Sequence, residues 1–496
     1  MRRHIKSFRE YLDILNKQGD LQKYSQEVDP HLEIGAISRY VIEQRLPMAV
    51  MDNIKGYPDY SMTTGVLACS SFFTHPYSRM ATALGFDPFI HPLEMIKELG
   101  GFSHEKRVKP VKINSPGFMK NVIEGDKVDL FNIPCPYLHQ GDGGDYLNTI
   151  GTMVVKTPDN RWTNWHICRV MRVDKNHLTV WTRQHQHFAM IHEEWKKLNK
   201  KMPFAIALAP EPAVTAISGI RVPAEVDEAD VLGGWFGEGI EVATSPGGKL
   251  EVPASCEMVI EGEMSIDTLH EEGPFGEYHG YLLADKCNEL VGEVLTIAHV
   301  DKPVIGTIPA GKPLDDDHAI IGIGGSSTFT LALKEAGMPV LDAWMAPETA
   351  LHLLVVRVKP EWQQQYKNVH EFIDALEAAI LSSPMSYVIA HALVIDTDID
   401  PTHPGDVLWA WSSRVHPETG TRITKPRYIT DMPPVFTPAE RKIHKARLAI
   451  HVGLLGANPN SAKDPVLPCG FNTLYPQALK EKVIAAFSSQ TSGRKA

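Results

Sequence analysis

Three runs rich in β-branched and aromatic residues stand in "NTIGTMVVKTPDNRWTNWHICRVMRVDKNHLTVWTR" (148–183), separated by "TPDN" and "DKN". Such residues suit a pleated surface, and Pro, Asp and Asn clusters break it. The stretch therefore predicts a meander of antiparallel strands. "SCEMVIEGEMS" (255–265) and "ELVGEVLTIAHV" (289–300) add further strands. Many short strands between about 120 and 310 predict a barrel or a sandwich.

The flanks follow another grammar. Residues 1 to about 105 alternate helix-like stretches with short apolar runs such as "MAVMDNI" (48–54), as in a small α/β domain. Phe8, Tyr11, Leu12 and Leu15 repeat at i, i+3, i+4, i+7 before Gly19. This spacing predicts an amphipathic helix packed on the body, not an export signal. A Pro-rich connector, "RVKPVKINSPGF" (107–118), leads into the strand-rich part. "GIGGSS" (322–327) reads as a tight turn entering the helix "STFTLALKEAG" (327–337). It lacks the G-K-[ST] ending of a phosphate loop. "AHALVIDTDID" (390–400) predicts a buried strand, and "PQALKEKVIAAFSS" (476–489) a closing amphipathic helix.

At 496 residues the chain has room for two or three domains. A formal net charge of -11 argues against binding nucleic-acid phosphates. The lysines of "EEWKKLNKKMP" (Lys196, Lys197, Lys200, Lys201) fit a solvated helix face. Six scattered cysteines without C-x-x-C spacing fit a reducing cytoplasm. No apolar run approaches the ~18 residues of a membrane span.

Three stretches carry candidate chemistry. In "TNWHICRVM", period-2 alternation puts Asn164, His166 and Cys168 on one face and Trp165, Ile167 and Arg169 on the other. Either this is a sheet with one wet face, or a site is built there. "RQHQHFAMIH" places His185 and His187 two apart on one side of a strand, as metal ligands often stand. Glu241 in "FGEGIEVATS" supplies a third, oxygen ligand, and with Asn the set suits Mn or Mg better than zinc. In "HEEGPFGEYHGY" (270–281) the Gly-Pro pair forbids a helix between Glu272 and Glu277. The two are either solvated turn residues or, near an arginine, a pair of which one is ionised and one a proton donor.

Together "TNWHICR", the "QH" of 186–187, "IEVATSPGGKLEVPASCEMVIEGE" (240–263), "EGPFGEYHGY" (272–281) and "DVLWAWSSRVHP" (406–417) resemble the UbiD family of prenylated-flavin-dependent reversible decarboxylases. The resemblance spans nearly the whole chain and is nearest to the ferulic/cinnamic and heteroaromatic acid decarboxylases. It implies an α+β fold: a split β-barrel flavin domain (107–322) after a small N-terminal α/β part (1–106). A linker helix (323–340) would then join a C-terminal α/β dimerisation domain (341–496). It implies that Arg169, its ion-pair partner Glu272 and the general acid Glu277 are catalytic. Asn164, His187 and Glu241 would hold Mn2+ (or Mg2+) at the phosphate of prenylated FMN. His166, Ile167, Cys168, Arg169, Gln186, Ser218 and Gly219 would line that cofactor, with K+ beside Trp165 and Ser218. It further implies a flavin prenyltransferase as cofactor supplier and a homo-oligomer, a dimer or a hexamer. Two positions depart from some members: "SSPMSY" (382–387) has no lysine, and Ala310 stands where others carry cysteine.

Loss of CO2 leaves a carbanion-like centre that needs an electron sink no side chain provides. Two other readings remain open. One is a metal-dependent hydrolase built on His185, His187, Glu241 and "DDDH" (315–318); the other is a flavin- or metal-binding assembly subunit without catalysis.

Overall fold

The computed structural model describes residues 2–102, 106–183, 186–283, 286–430, 433–457 and 467–491. Helix α1 (Phe8–Gln18) is capped by the Ser7 side chain and ended by Gly19 at φ 79°. Its Phe8, Tyr11 and Leu15 are buried, as the spacing predicts. It packs beside a four-stranded sheet of Leu21–Tyr24, Met48–Met51, Ser61–Thr63 and Val304–Gly306. The last of these strands comes from beyond the central sheet, so the N-terminal part is stitched to the barrel.

Nine antiparallel strands form the centre: β1 (Asn121–Glu124), β2 (Tyr146–Asn148), β3 (Thr152–Lys156), β4 (Thr163–Ile167), β5 (Val170–Arg172), β6 (His177–Val180), β7 (Met202–Leu208), β8 (Met258–Glu272) and β9 (Cys287–His299). Their order is β2-β5-β6-β9-β8-β7-β3-β4, with β1 added to β9. The expected meander is two hairpins, β3–β4 and β5–β6.

Strands β4 and β5 stand near opposite ends of this order, yet only Cys168 and Arg169 separate them. Three Cα steps span at most about 10 Å. The sheet must therefore curl until its ends nearly meet, and Asn148 Nδ2 donates to Cys168 O (2.8 Å) across the gap. This is a split barrel, as expected. Its price is the alternation read for "TNWHICR". The chain leaves the pleat after Ile167, so Ile167, Cys168 and Arg169 all border one cavity instead of alternating faces.

Elsewhere the two-residue period holds and divides the side chains between two cores. Phe204, Ile206 and Leu208 of β7 face one with Met258, Ile260 and Met264 of β8. Ala205, Ala207 and Val259 face the other, beneath helices α3 (Pro212–Gly219) and α4 (Glu228–Phe236). Small residues there let the helices approach the sheet. Trimming a buried Phe204 to Ala would cost about 3–5 kcal/mol. Helix α2 (His187–Lys197) leads into β7.

Helix α5 (Asp316–Glu335) absorbs the glycines that the sequence assigns to a turn. A Cβ on Gly325 would meet Met345 Sδ at 2.4 Å, and one on Gly322 would meet Pro347 Cγ at 2.7 Å. Their role is close packing against the next sheet, not a bend. That sheet has five strands, Val340–Met345, Leu353–Val358, His391–Asp396, Ala449–Gly453 and Thr421–Ile423 in spatial order. Residues 392–395 are buried, as read from "AHALVIDTDID". Helix Gln477–Thr491 forms, with Leu479, Ile484 and Phe487 exposed. Among the described residues no helix is long and apolar enough to cross a membrane.

Candidate active site

Strand β8 ends at Glu272, where Gly273 turns at φ 81° and the Gly273–Pro274 peptide is cis. The bend is tied to the segment before β2. Gly143 N–H donates to Pro274 O (2.6 Å), and Gly276 N–H donates to Asp142 Oδ1 (3.1 Å). Position 143 accepts only glycine, since a Cβ would lie 2.0 Å from Gly273 O. The turn sends Glu272 back into the barrel, where Arg169 binds it twice: Nε to Oε1 (2.9 Å) and Nη2 to Oε2 (2.8 Å). Arg169 Nη1 pairs with Glu277 from the far side of the same turn. Glu271, by contrast, pairs with Lys286 at the surface.

Glu272 is 1% exposed. Besides Arg169 it accepts from Tyr146 Oη (2.8 Å), and Cys287 Sγ lies 3.6 Å from Oε2. Burial, reinforced by the Glu272 charge, raises the Tyr146 phenol, so it stays a donor. Burial pushes the Cys287 thiol up to about 12, with Glu289 adding to the shift. The Arg169 guanidinium lies 5.0 Å from the Trp181 ring centroid and 5.2 Å from that of Phe275. Flat apolar walls at that distance hold a cation in place and restrict its hydration.

A cavity of about 200 Å³ opens at this triad, bordered by Ile167, Gln186, Ala310, Met385 and Tyr387 among others. Ala310 and "SSPMSY", the two departures from family pattern, thus both touch it. A second hollow of about 310 Å³ shares Arg169 and Glu277 and carries Arg183, Lys286, Arg441, Lys442 and His444. A positive vestibule of this kind concentrates anions at the cavity mouth.

Beside the cavity, Asn164 Nδ2 donates to Glu228 Oε1 (2.9 Å) and lies 3.4 Å from His187 Nδ1. Trp165 N–H donates to Glu228 Oε2 (2.8 Å). Asn164 Oδ1 is buried without a partner among the described residues. Burial pushes the Glu228 carboxyl up to about 8, and burial with the Arg221 charge lowers His187 to about 4. An orphaned amide oxygen, a carboxyl and a neutral imidazole form an O, O, N donor set that fits a hard divalent cation.

The carboxyl that contacts Asn164 is that of Glu228, whereas the sequence reading places Glu241 in this set. Glu241 is exposed at the start of strand Glu241–Thr244, paired with Val111, and its charge acts on Lys6 and Glu211. Among the described residues no hydrogen bond or ion pair connects it to Asn164 or His187. His187 itself opens α2 and is not on a strand, and His185 lies outside the described residues. His166 is partly buried, both its ring nitrogens are buried without a hydrogen-bond partner among the described residues, and burial lowers it to about 3. Ser218 ends α3, its Oγ donating to Val214 O (2.7 Å) and lying 2.9 Å from Thr152 Oγ1. A Cβ on Gly219 would meet Ile320 at 2.5 Å.

"DDDH" does not form a hydrolase centre. Asp315 is engaged by His318 and Arg39, and Asp316 accepts from Leu67 N–H and Ala68 N–H. Among the described residues no three His, Cys, Asp or Glu side chains could hold a metal by themselves. Sequence reasoning also missed Tyr146 and Glu228. In "VDEADVLGG" the acidic pair before an apolar run reads as a helix start, which α4 confirms and which conceals the inward carboxyl.

A split barrel holding a part-buried arginine between two glutamates, beside a basic vestibule, suits the binding of a small carboxylate. Models of the 3-octaprenyl-4-hydroxybenzoate carboxy-lyase match this chain in three parts. The N-terminal domain matches at 12–100, the Rift-related domain at 109–313 and the C-terminal domain at 318–450. The chain belongs to the UbiD family of carboxy-lyases. It is 31% identical over 496 residues to the pyrrole-2-carboxylic acid decarboxylase of Pseudomonas aeruginosa, covering 99% of this chain and 100% of that one. It is 30% identical over 488 residues to ferulic acid decarboxylase 1 of Saccharomyces cerevisiae, covering 96% of each. The fold also matches the UbiD-class enzyme HmfF from Pelotomaculum thermopropionicum, solved in an evolved dimeric form in complex with prFMN. There the TM-score is 0.75 at 22% identity, covering 91% of this chain and 95% of that one.

Proposed function

We propose that this enzyme removes CO2, reversibly, from an aromatic, heteroaromatic or α,β-unsaturated carboxylic acid with prenylated FMN bound in the barrel. The observation that carries the reading is Arg169 held between Glu272 and Glu277 at the wall of the cavity. Prenylated FMN supplies the electron sink that the carbon losing CO2 requires. The relatives' names, decarboxylases of pyrrole-2-carboxylic and ferulic acids, support the substrate class.

The chain's own groups divide the remaining work. Arg169 orients the substrate carboxylate by charge-assisted hydrogen bonds. Glu272, fixed by Arg169 and Tyr146, keeps the guanidinium aimed. Glu277, beyond the Gly-Pro turn and next to the cavity, delivers the proton to the carbon that CO2 leaves. Asn164, His187 and Glu228 would hold Mn2+ or Mg2+ at the flavin phosphate. His166, Ile167, Cys168, Gln186, Ser218 and Gly219 would border the flavin, with K+ by Trp165 and Ser218. We further assign the part after 341 to oligomerisation, a flavin prenyltransferase to cofactor supply, and the cytoplasm, where six free cysteines fit.

Protein produced together with a flavin prenyltransferase should carry a near-UV and visible chromophore and release CO2 from some member of an acid panel. A colourless, metal-only protein with no CO2 from any acid would overturn the reading.

A further inference from the structure

Three consecutive aspartates open helix α5, and they have three different fates. Asp315 caps the helix and is held by His318, Arg39 and Gly311 N–H. Asp316 anchors the N-terminal part through Leu67 and Ala68. Asp317 makes no hydrogen bond or ion pair among the described residues, and it borders the reaction cavity together with Ile321, one turn further along the helix. Of the cavity's two acidic side chains, Glu277 is held by Arg169 and Asp317 by nothing. The same cavity is lined by Ile167, Ile308, Ala310, Ile321, Leu351 and Val388, and also by Arg169, Arg183, Tyr278, Tyr387 and Thr430. Thr149 and Gln186, which also reach the cavity, are already engaged, Thr149 by Ile308 N–H (2.7 Å) and Gln186 by Arg183 N–H (2.8 Å).

We propose that Asp317 is the specificity-determining group of this enzyme, accepting a hydrogen bond from a ring N–H or hydroxyl of the carboxylic acid substrate. The proposal rests on the decarboxylase reading and narrows its substrate class to acids whose ring carries a hydrogen-bond donor. A donor meets an acceptor whether Asp317 is neutral or ionised, because both forms present a free oxygen. Burial, with the Asp315 charge behind it, pushes this carboxyl up. In either form, a carboxyl oxygen facing the cavity without a partner favours a substrate that donates to it. An acid without a donor leaves it unsatisfied and is disfavoured by roughly 10–100-fold.

The test uses the cofactor-loaded enzyme with pyrrole-2-carboxylic acid and its N-methyl derivative. The wild type should prefer the N–H acid by about 10–100-fold in kcat/KM. D317L should compress that ratio to a few-fold, while D317N, which keeps a carbonyl acceptor, should retain most of it. The same ratios read as Kd by calorimetry need no turnover. Equal preference in wild type and D317L, or no preference in the wild type, overturns the role of Asp317. If binding discriminates and depends on Asp317 while no acid yields CO2, this inference stands and the decarboxylase reading falls.

Discussion

Arg169 grips Glu272 through two parallel hydrogen bonds, Nε to Oε1 at 2.9 Å and Nη2 to Oε2 at 2.8 Å, with the carboxylate 1% exposed. A planar fork matches a carboxylate in a way that an ammonium cannot. R169K should therefore lower CO2 release at least 10²-fold. R169A should in addition destabilise the fold by about 3–5 kcal/mol in urea unfolding, because it strands a buried charge. Glu277 is the contrasting case. E277Q should cost about 10²–10⁴ in kcat with little change in the urea midpoint, and near-wild-type turnover would remove it as the proton donor.

Exchanging the two candidate metal carboxylates separates them. E228Q should lose most of the bound divalent metal measured by elemental analysis, and E241Q should keep it. The reverse result would restore Glu241, against its exposed position on strand Glu241–Thr244.

Tyr146 donates to a charged, buried acceptor at 2.8 Å. Hydrogen bonds to charged groups contribute about 1.5–3 kcal/mol. Y146F should lower unfolding free energy by about that amount and reduce kcat through a less firmly held Glu272. A stability loss without any kinetic change would make Tyr146 purely structural.

Stability should fall in mild acid through His279. It is buried, its Nε2 has no partner, and its Nδ1 accepts from Tyr281 N–H (3.3 Å). Burial, then the charges of His352, Arg441 and Arg169, lower it from 6.5 to about 4. The unfolded chain takes up a proton that the folded one refuses. The contribution is therefore full above about pH 6.5 and is lost as pH falls towards 4, at about 1.4 kcal/mol per pH unit and about 3 kcal/mol in all. H279N should flatten that part of the urea-stability profile between pH 4 and 6.5, whatever its effect at pH 7.5.

Periodic and local features were readable before any fold was known. The spacing of Phe8, Tyr11 and Leu15, the paired runs around "TPDN", and the exclusion of helix at Gly273–Pro274 each depend on neighbours a few residues apart. Two readings failed where distant segments decide. The glycines of "GIGGSS" lie in a helix because Met345 and Pro347 press against them, a contact invisible in a turn-rich string. Alternation ended at Ile167 because the sheet had to close. Glu228 and Glu241 are both acidic residues near apolar runs, and only the tertiary structure places Glu228 against Asn164 and Glu241 at an exposed strand end.

"HEEGPFGEYHGY" marks the division. Local chain chemistry was enough to show that Glu272 and Glu277 flank a non-helical bend, since a Gly-Pro pair limits backbone geometry whatever surrounds it. What they aim at was settled by barrel closure, which carries Arg169 from 103 positions away to within 2.8 Å of Glu272. Patterning acts over a few residues of one strand, whereas a site needs side chains from several strands in one volume. That volume exists only once the curled sheet has buried its inner face.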